Sequence, residues 1–241
     1  MKQTLFITGT DTGVGKTVLT ALLTRFLRER GVHAAALKPL CSGGRDDARA
    51  LHAAMNGALT LDEINPWHFR APVAPLLAAR KENQRVKLSQ VLAHARAMRK
   101  RFDVLLVEGA GGLLSPFGVC SGGLRPSHAL AERRHKKSFD SRDLILVLRA
   151  IPILVAPNKL GVVNHILLTL EALPENMRAK TRVVLMSPAK PDAASKTNAK
   201  LLAEFFAAKQ IFSLPWLGRN FDLERALKNV RLQRLLGALA K

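Results

Sequence analysis

Gly9-Thr10-Asp11-Thr12-Gly13-Val14-Gly15-Lys16-Thr17 follows a short apolar run and opens an amphipathic segment. Such a stretch makes a phosphate cradle. Glycines let backbone N–H groups face an anion, a helix N-terminus adds its dipole, a lysine reaches the β- and γ-phosphates, and a threonine hydroxyl can ligate Mg²⁺. Lys16 and Thr17 are the candidates for the last two tasks, with Gly13, Val14, Gly15 and Val18 around the phosphates. The stricter spacing G-x-x-x-x-G-K-[ST] asks for glycine at Thr10, so here the first glycine comes one place early. A chance glycine turn is the alternative, but it does not explain why strand, loop, Lys-Thr pair and helix follow in that order.

Two further groups of residues have the composition of a charged site. Glu108 ends the apolar run Asp103-Val104-Leu105-Leu106-Val107 and precedes Gly109-Ala110-Gly111-Gly112. An acid there can hold Mg²⁺ opposite Thr17, and small residues after it let backbone approach a ligand; a surface glutamate in a turn is the plainer reading. Lys38 follows the run ending at Leu37 and begins Lys38-Pro39-Leu40-Cys41-Ser42-Gly43-Gly44. Two lysines at one sheet edge suit phosphoryl transfer, which depends on positioning and charge stabilisation, whereas a single one is more often solvated. Asp46 and Asp47 either add a metal carboxylate or cap a helix beginning at Ala48.

These residues need a scaffold that brings several strand ends together. Strand-length apolar runs occur near Thr4–Thr8, Ala34–Leu37, Val104–Val107, Ile151–Ala156, Arg182–Leu185 and Ile211–Leu214. Helix-period segments alternate with them: Lys16–Glu29, Leu88–Lys100, Asp140–Arg149, Val162–Leu173 and Ala194–Ala207. The alternation predicts an α/β fold, a mostly parallel sheet with helices on both faces, whose ligands lie at the carboxyl ends of the strands. A single domain over residues 1–241 accommodates all of it. Val119–Ser138 breaks the rhythm with Ser121-Gly122-Gly123 and the basic run Arg133-Arg134-His135-Lys136-Lys137; a lid or an alteration that impairs the site are alternatives, and its composition favours a disordered loop.

Composition narrows the partners. The chain carries 38 Lys+Arg against 18 Asp+Glu, a formal charge of +20, which raises the question of a polyanion. The basic residues are mostly scattered along helical segments, and aromatics are 5% with no tyrosine, which leaves little for base stacking. A solvated basic surface is therefore the preferred reading over a nucleic-acid site. Only Cys41 and Cys120 are present, which suits a reducing, cytoplasmic setting. Leu144–Pro157, the longest apolar stretch, is interrupted by Arg149 and too short to span a bilayer, so no membrane role is expected.

In chain order, Gly9-Thr10-Asp11-Thr12-x-Val14-Gly15-Lys16-Thr17, Lys38-Pro39-x-x-Ser42-Gly43, Asn65-Pro66 with Phe69, Pro72 and Pro75, Val107-Glu108-Gly109-Ala110-Gly111-Gly112, and Lys159-Leu160-Gly161 with Asn164-His165 form a set far more specific than a phosphate loop. The chain resembles dethiobiotin synthetase over most of its length, excepting about 119–138. That likeness implies a P-loop NTPase-like fold and closure of the ureido ring of dethiobiotin from 7,8-diaminononanoate, CO₂ and ATP. A carbamate and a carbamic-phosphoric anhydride are the implied intermediates, with ADP and phosphate released. It further implies that Lys16 and Lys38 steady the carbamate and the transferring phosphoryl group, and that Thr17, Asp47 and Glu108 hold Mg²⁺. Thr12 and Ser42 are implied to contact the diamine or its carbamate, and Gly109, Ala110 and Gly111 to line the nucleotide. A homodimer is implied too, with the substrate carboxylate received near Gly161 and Asn164 of the partner chain.

Two departures stand out. Where the resembled family commonly has Asn-Asp, the Asn reading the adenine edge, this chain has Met186-Ser187-Pro188, so base discrimination is expected to be weaker or altered. Leu214-Pro215-Trp216-Leu217 matches the family's other base-side turn, although Trp216 can also be a packing residue. The second departure is the excursion after Pro116-Phe117-Gly118, an insertion of about twenty residues. Two rival classes predict other signals. A partition or cell-division ATPase carries a signature lysine where Asp11 stands, and a nucleic-acid-stimulated ATPase would bind DNA or RNA with a steep salt dependence.

Overall fold

The computed structural model describes residues 2–120, 138–218 and 221–241. In chain order these form β1 (Gln3–Gly9), α1 (Lys16–Glu29), β2 (Ala34–Leu37), β3 (Leu40–Ser42), α2 (Asp46–Ala54), α3 (Leu61–Ile64), β4 (Trp67–Phe69), α4 (Pro75–Lys81), α5 (Leu88–Arg101) and β5 (Val104–Glu108). Then come β6 (Gly118–Val119), β7 (Ser138–Phe139), α6 (Ser141–Leu148), β8 (Ile151–Pro157), α7 (Val162–Glu171), α8 (Glu175–Arg178), β9 (Arg182–Met186), α9 (Ala193–Leu202), β10 (Ile211–Leu214), α10 (Leu223–Leu227) and α11 (Val230–Ala240).

The six apolar runs form one parallel sheet in the order β10-β9-β8-β1-β5-β2. Their sequences are continuous in apolar residues rather than alternating, because both faces are covered; β2, Ala34–Leu37, is wholly buried. Right-handed crossovers fix which face each helix takes. The chain runs from β1 through α1 toward the β2 edge, and from β5 through α6, α7 and α9 toward the β10 edge, so α1 lies on the opposite face from those three. The packing agrees: α1 meets α10 and α11, while α5 meets α6 and α7 meets α9. The expected α/β sheet with helices on both faces is therefore found.

Local chemistry explains the helix starts. Asp140 caps α6, its carboxylate accepting from the Asp143 N–H, and Thr60 and Asp192 cap α3 and α9 the same way. Asp46 and Asp47 do not cap: α2 already begins at Asp46, Arg45 holds the N-cap position without a side-chain bond, and both acids lie in the first turn, where the helix dipole favours them. The helix expected to reach Ala207 stops at Leu202, because the turn at Ala203–Phe206 precedes a short 3₁₀ segment leading into β10.

Two small pairings lie off the main sheet. β3 and β4 run parallel, and β6 and β7 pair antiparallel, Gly118 opposite Phe139 and Val119 opposite Ser138. The two ends of the excursion expected from the sequence thus meet side by side. Its interior, residues 121–137 with the basic run, lies outside the described residues. Among the described residues no helix is long and apolar enough to cross a membrane.

Candidate active site

The sheet register explains how distant residues converge. Ile7 of β1 pairs with Glu108 of β5, and Leu37 of β2 pairs with Val107, so the loop after Gly9, the Glu108 carboxylate and Lys38 leave three adjacent strands at the same level. Gly15 forms the N-cap of α1 at φ 96°, a left-handed conformation that a side chain would resist, and this turn brings Lys16 and Thr17 under the loop. Gly109 is required for another reason: a Cβ there would lie 2.5 Å from the Ser141 hydroxyl oxygen and 3.2 Å from the Phe6 ring.

Glu108 is the hub of the charged cluster. Its Oε1 accepts from the Thr17 hydroxyl at 2.7 Å and from the Lys38 ammonium at 2.6 Å, and Lys38 also pairs with Asp47 at 2.8 Å and donates to the Gly109 carbonyl at 3.2 Å. Glu108 is 1% exposed and Lys38 4%, so neither the surface glutamate nor the solvated lysine of the plainer readings describes them. Lys16, also buried, donates to the Asp11 carbonyl at 2.8 Å. Burial, reinforced by the Lys38 charge, pulls the Lys16 ammonium down to about 8. Burial opposes the Lys38 charge as well, but the Glu108 and Asp47 carboxylates outweigh it and hold its pKa above the usual lysine range. At Asp47 burial favours the neutral acid, yet Lys38 and a hydrogen bond from Thr17 prevail and keep the carboxyl below its usual range.

A cavity of about 640 Å³ opens in front of this cluster. Of the residues singled out in the sequence, Thr12, Gly13, Gly15, Lys16, Thr17, Val18, Lys38, Ser42, Asp47, Ala110 and Gly111 line it. Glu108 and Gly109 stand behind it through Lys38, and Val14 is buried beneath the loop. Gly161, Asn164, Pro215, Trp216 and Leu217 are not on its walls; they follow β8 and β10, on the other side of β1. The oxygens of Thr17, Asp47 and Glu108 are hard donors of the kind Mg²⁺ takes alongside phosphate oxygens. Glu108 Oε2 is buried with no hydrogen-bond partner, which a cation would satisfy.

Other parts of the site had no chemical role assigned from the sequence, although Asn65, Pro72 and Pro75 stood among its motif residues. Ser115, whose hydroxyl accepts from the Gly112 N–H at 3.0 Å, joins the wall, as do Pro72, Val73, Ala74 and Pro75. Cys41 does too, but burial pushes its thiol up to about 11, which leaves it un-ionised at neutral pH. Asn65 is fully buried and donates to the carbonyls of Lys38, Pro39 and Trp67 at 2.7, 3.4 and 3.4 Å, fixing the bend that carries Lys38.

The fold and the sequence are shared with known proteins. A sequence profile described as an AAA domain matches residues 3–120. The fold is similar to a ParA family ATPase from Chlorobium tepidum TLS, at a TM-score of 0.53 and 10% identity over 99% of this chain and 98% of that one. It is likewise similar to pNOB8 ParA in a structure bound to nonspecific DNA, at a TM-score of 0.55 and 10% identity over 100% and 98%. These likenesses show a P-loop NTPase-like fold. Sequence relatives are nearer. The chain is 36% identical over 251 residues to the ATP-dependent dethiobiotin synthetase BioD of Thermodesulfovibrio yellowstonii, covering 98% of this chain and 99% of the relative. It is 38% identical over 231 residues to that of Anaeromyxobacter dehalogenans strain 2CP-C, covering 94% and 96%. With a phosphate loop, a buried Lys38–Glu108 pair joined by the half-exposed Asp47, and relatives matched over nearly their whole length, the chain belongs to the dethiobiotin synthetase family.

Proposed function

We propose that this protein is an ATP-dependent cyclo-ligase that makes dethiobiotin from 7,8-diaminononanoate and CO₂. One amine of the substrate captures CO₂ as a carbamate. The carbamate oxygen attacks the γ-phosphate to give a carbamic-phosphoric anhydride and ADP, and the second amine displaces phosphate as the ring closes. The observation that carries this reading is the convergence of two buried lysines, Lys16 and Lys38, with Thr17, Asp47 and Glu108 at one end of the cavity that Thr12 and Ser42 line.

In this reading the loop from Gly13 to Val18, with Gly109, Ala110 and Gly111, cradles the phosphates, and Pro215, Trp216 and Leu217 lie toward the base. Lys16 and Lys38 offset the negative charge that builds on the carbamate and the transferring phosphoryl group, in a water-poor site where such charges act strongly. Thr17, Asp47 and Glu108 would hold Mg²⁺, which neutralises phosphate charge when bound. Thr12 and Ser42 orient the diamine.

A homodimer completes the site. Gly161 and Asn164 are exposed at the start of α7 and do not line their own chain's cavity, so they are assigned to the partner's substrate carboxylate, which the free N–H groups of α7 attract. Leu160, in the turn before α7, is 83% exposed and Leu168, on α7, 63%, apolar side chains that a second copy would cover. The whole chain then acts as one catalytic domain, in keeping with a core that runs from β1 to α11.

The test is a label experiment. With ATP, Mg²⁺ and ¹³C-bicarbonate, the protein is expected to convert the diamine to an acid-stable product carrying one ¹³C at its ring carbonyl. A diamine recovered unlabelled from protein that binds ATP would refute the assignment.

A further inference from the structure

The strand order separates two sides of the phosphate loop. β5 and β2 lie on one side of β1 and carry Glu108 and Lys38 toward the cavity; β8, β9 and β10 lie on the other. A nucleotide whose terminal phosphate faces Lys38 therefore runs its sugar and base the opposite way, over the start of α1 toward the carboxyl ends of β9 and β10. This step rests on the nucleotide site assigned above.

The side chains at that end of the sheet are mostly apolar. Met186 ends β9 and leans on the phosphate loop, so closely that a Cβ on Gly15 would lie 2.7 Å from Met186 Cε. Ser187 and Pro188 follow it, and β10 leads into Pro215 and Trp216, a residue 50% exposed. Among the described residues two amides lie nearby, Asn158 and Asn198, and both are buried and engaged. Asn158 Nδ2 donates to the Ser195 carbonyl at 2.8 Å, and Asn198 Nδ2 donates to Asn158 Oδ1 at 2.9 Å and to the Lys159 carbonyl at 3.1 Å. The strand-end backbone is engaged as well: the Asn158 N–H donates to the Met186 carbonyl at 2.8 Å, and the Ser187 N–H to the Leu214 carbonyl at 2.9 Å. The Ser187 hydroxyl can donate or accept, so it suits more than one base edge.

From this geometry we infer that the enzyme recognises its nucleotide by the triphosphate rather than by the base, with Met186 as the specificity-determining residue. ATP and GTP are both substrates, the base held by apolar contact at Met186 and stacking at Trp216. A site with a fixed hydrogen-bonding partner for a ligand group rejects an analogue lacking it by about 10⁴-fold or more, whereas an apolar pocket separates similar ligands by about 10- to 200-fold at most. Stacking tolerates every base because each has a π-face.

Binding of ATP and GTP to the intact protein with Mg²⁺, without diamine, tests this by calorimetry. The two dissociation constants are expected to agree within about tenfold, and Met186→Asn, which supplies an amide at that strand end, to shift the ratio toward ATP by about tenfold or more. An ATP preference above about tenfold in the unsubstituted protein overturns the inference, and a Met186→Asn protein with an unchanged ratio removes Met186 from base selection. The ligase assignment is judged separately by diamine-dependent turnover, so either idea can fail while the other stands.

Discussion

At the residue scale, Lys38 carries the largest consequences because it is buried between two carboxylates. Removing one partner of a buried ion pair leaves the other charge uncompensated and costs about 3 kcal/mol or more, and removing an electrostatic catalyst costs about 10²-fold or more in rate. Lys38→Gln is therefore expected to remain folded but lose turnover by at least about a hundredfold and melt earlier. An unchanged rate would remove Lys38 from the mechanism. Lys16→Gln should lose turnover similarly while stability holds or rises, since its charge is already disfavoured by burial. The sign of the pH effect follows from the same shift. Free Lys16 loses its proton as pH rises through about 8, whereas bound phosphates favour the charged form. ATP binding is thus expected to take up a proton between about pH 8 and 9 and to weaken as pH rises, which calorimetry in buffers of different ionisation enthalpy will detect. Proton uptake that persists unchanged in Lys16→Gln would assign the effect elsewhere.

At the scale of elements, the site depends on how strand ends are bent and joined. Asn65 ties Lys38, Pro39 and Trp67 together, so Asn65→Ala removes the side-chain donor to the Lys38 carbonyl and should cost about 2 kcal/mol. Its turnover should fall as the Lys38 bend loosens; a protein equally stable and equally active would show the clamp to be dispensable. The same residue illustrates what the sequence could reveal. Lys16, Thr17, Lys38 and Glu108 were legible because each follows an apolar strand-length run, and a parallel sheet sends the ends of those runs to one edge. The Asn65-Pro66 pair was visible only as part of a motif; its bonds to residues 26 and 27 positions earlier are not encoded in any local pattern. The β3–β4 pair was missed for a similar reason, since three-residue strands carry no periodicity and their partner is distant in sequence. Asp46 misled as a cap because acids favour both the N-cap and the first turn. Nor did any pattern place Met186 against Gly15, a contact made only when β9 and the phosphate loop are folded.

At the scale of the whole molecule, charge and assembly come to the fore. The family assignment accounts for the small-molecule site, while the formal charge of +20 remains a property of the surface that the proposed chemistry does not use. The homodimer proposed above does enter that chemistry. Leu160→Glu with Leu168→Glu places acids in the turn before α7 and on its exposed face, and is expected to shift the proposed dimer to a monomer in sedimentation. ATP binding should survive and diamine-dependent turnover should fall at least about tenfold, because Gly161 and Asn164 of a second copy are then missing from the substrate end. A fully active monomer would contradict the shared site. The central claim is tested most directly by phosphate release from ATP with Mg²⁺ and bicarbonate, with and without 7,8-diaminononanoate. The account predicts release that depends on the diamine and matches the ureido product one for one. Release that ignores the diamine, in a folded protein that binds ATP, would contradict it.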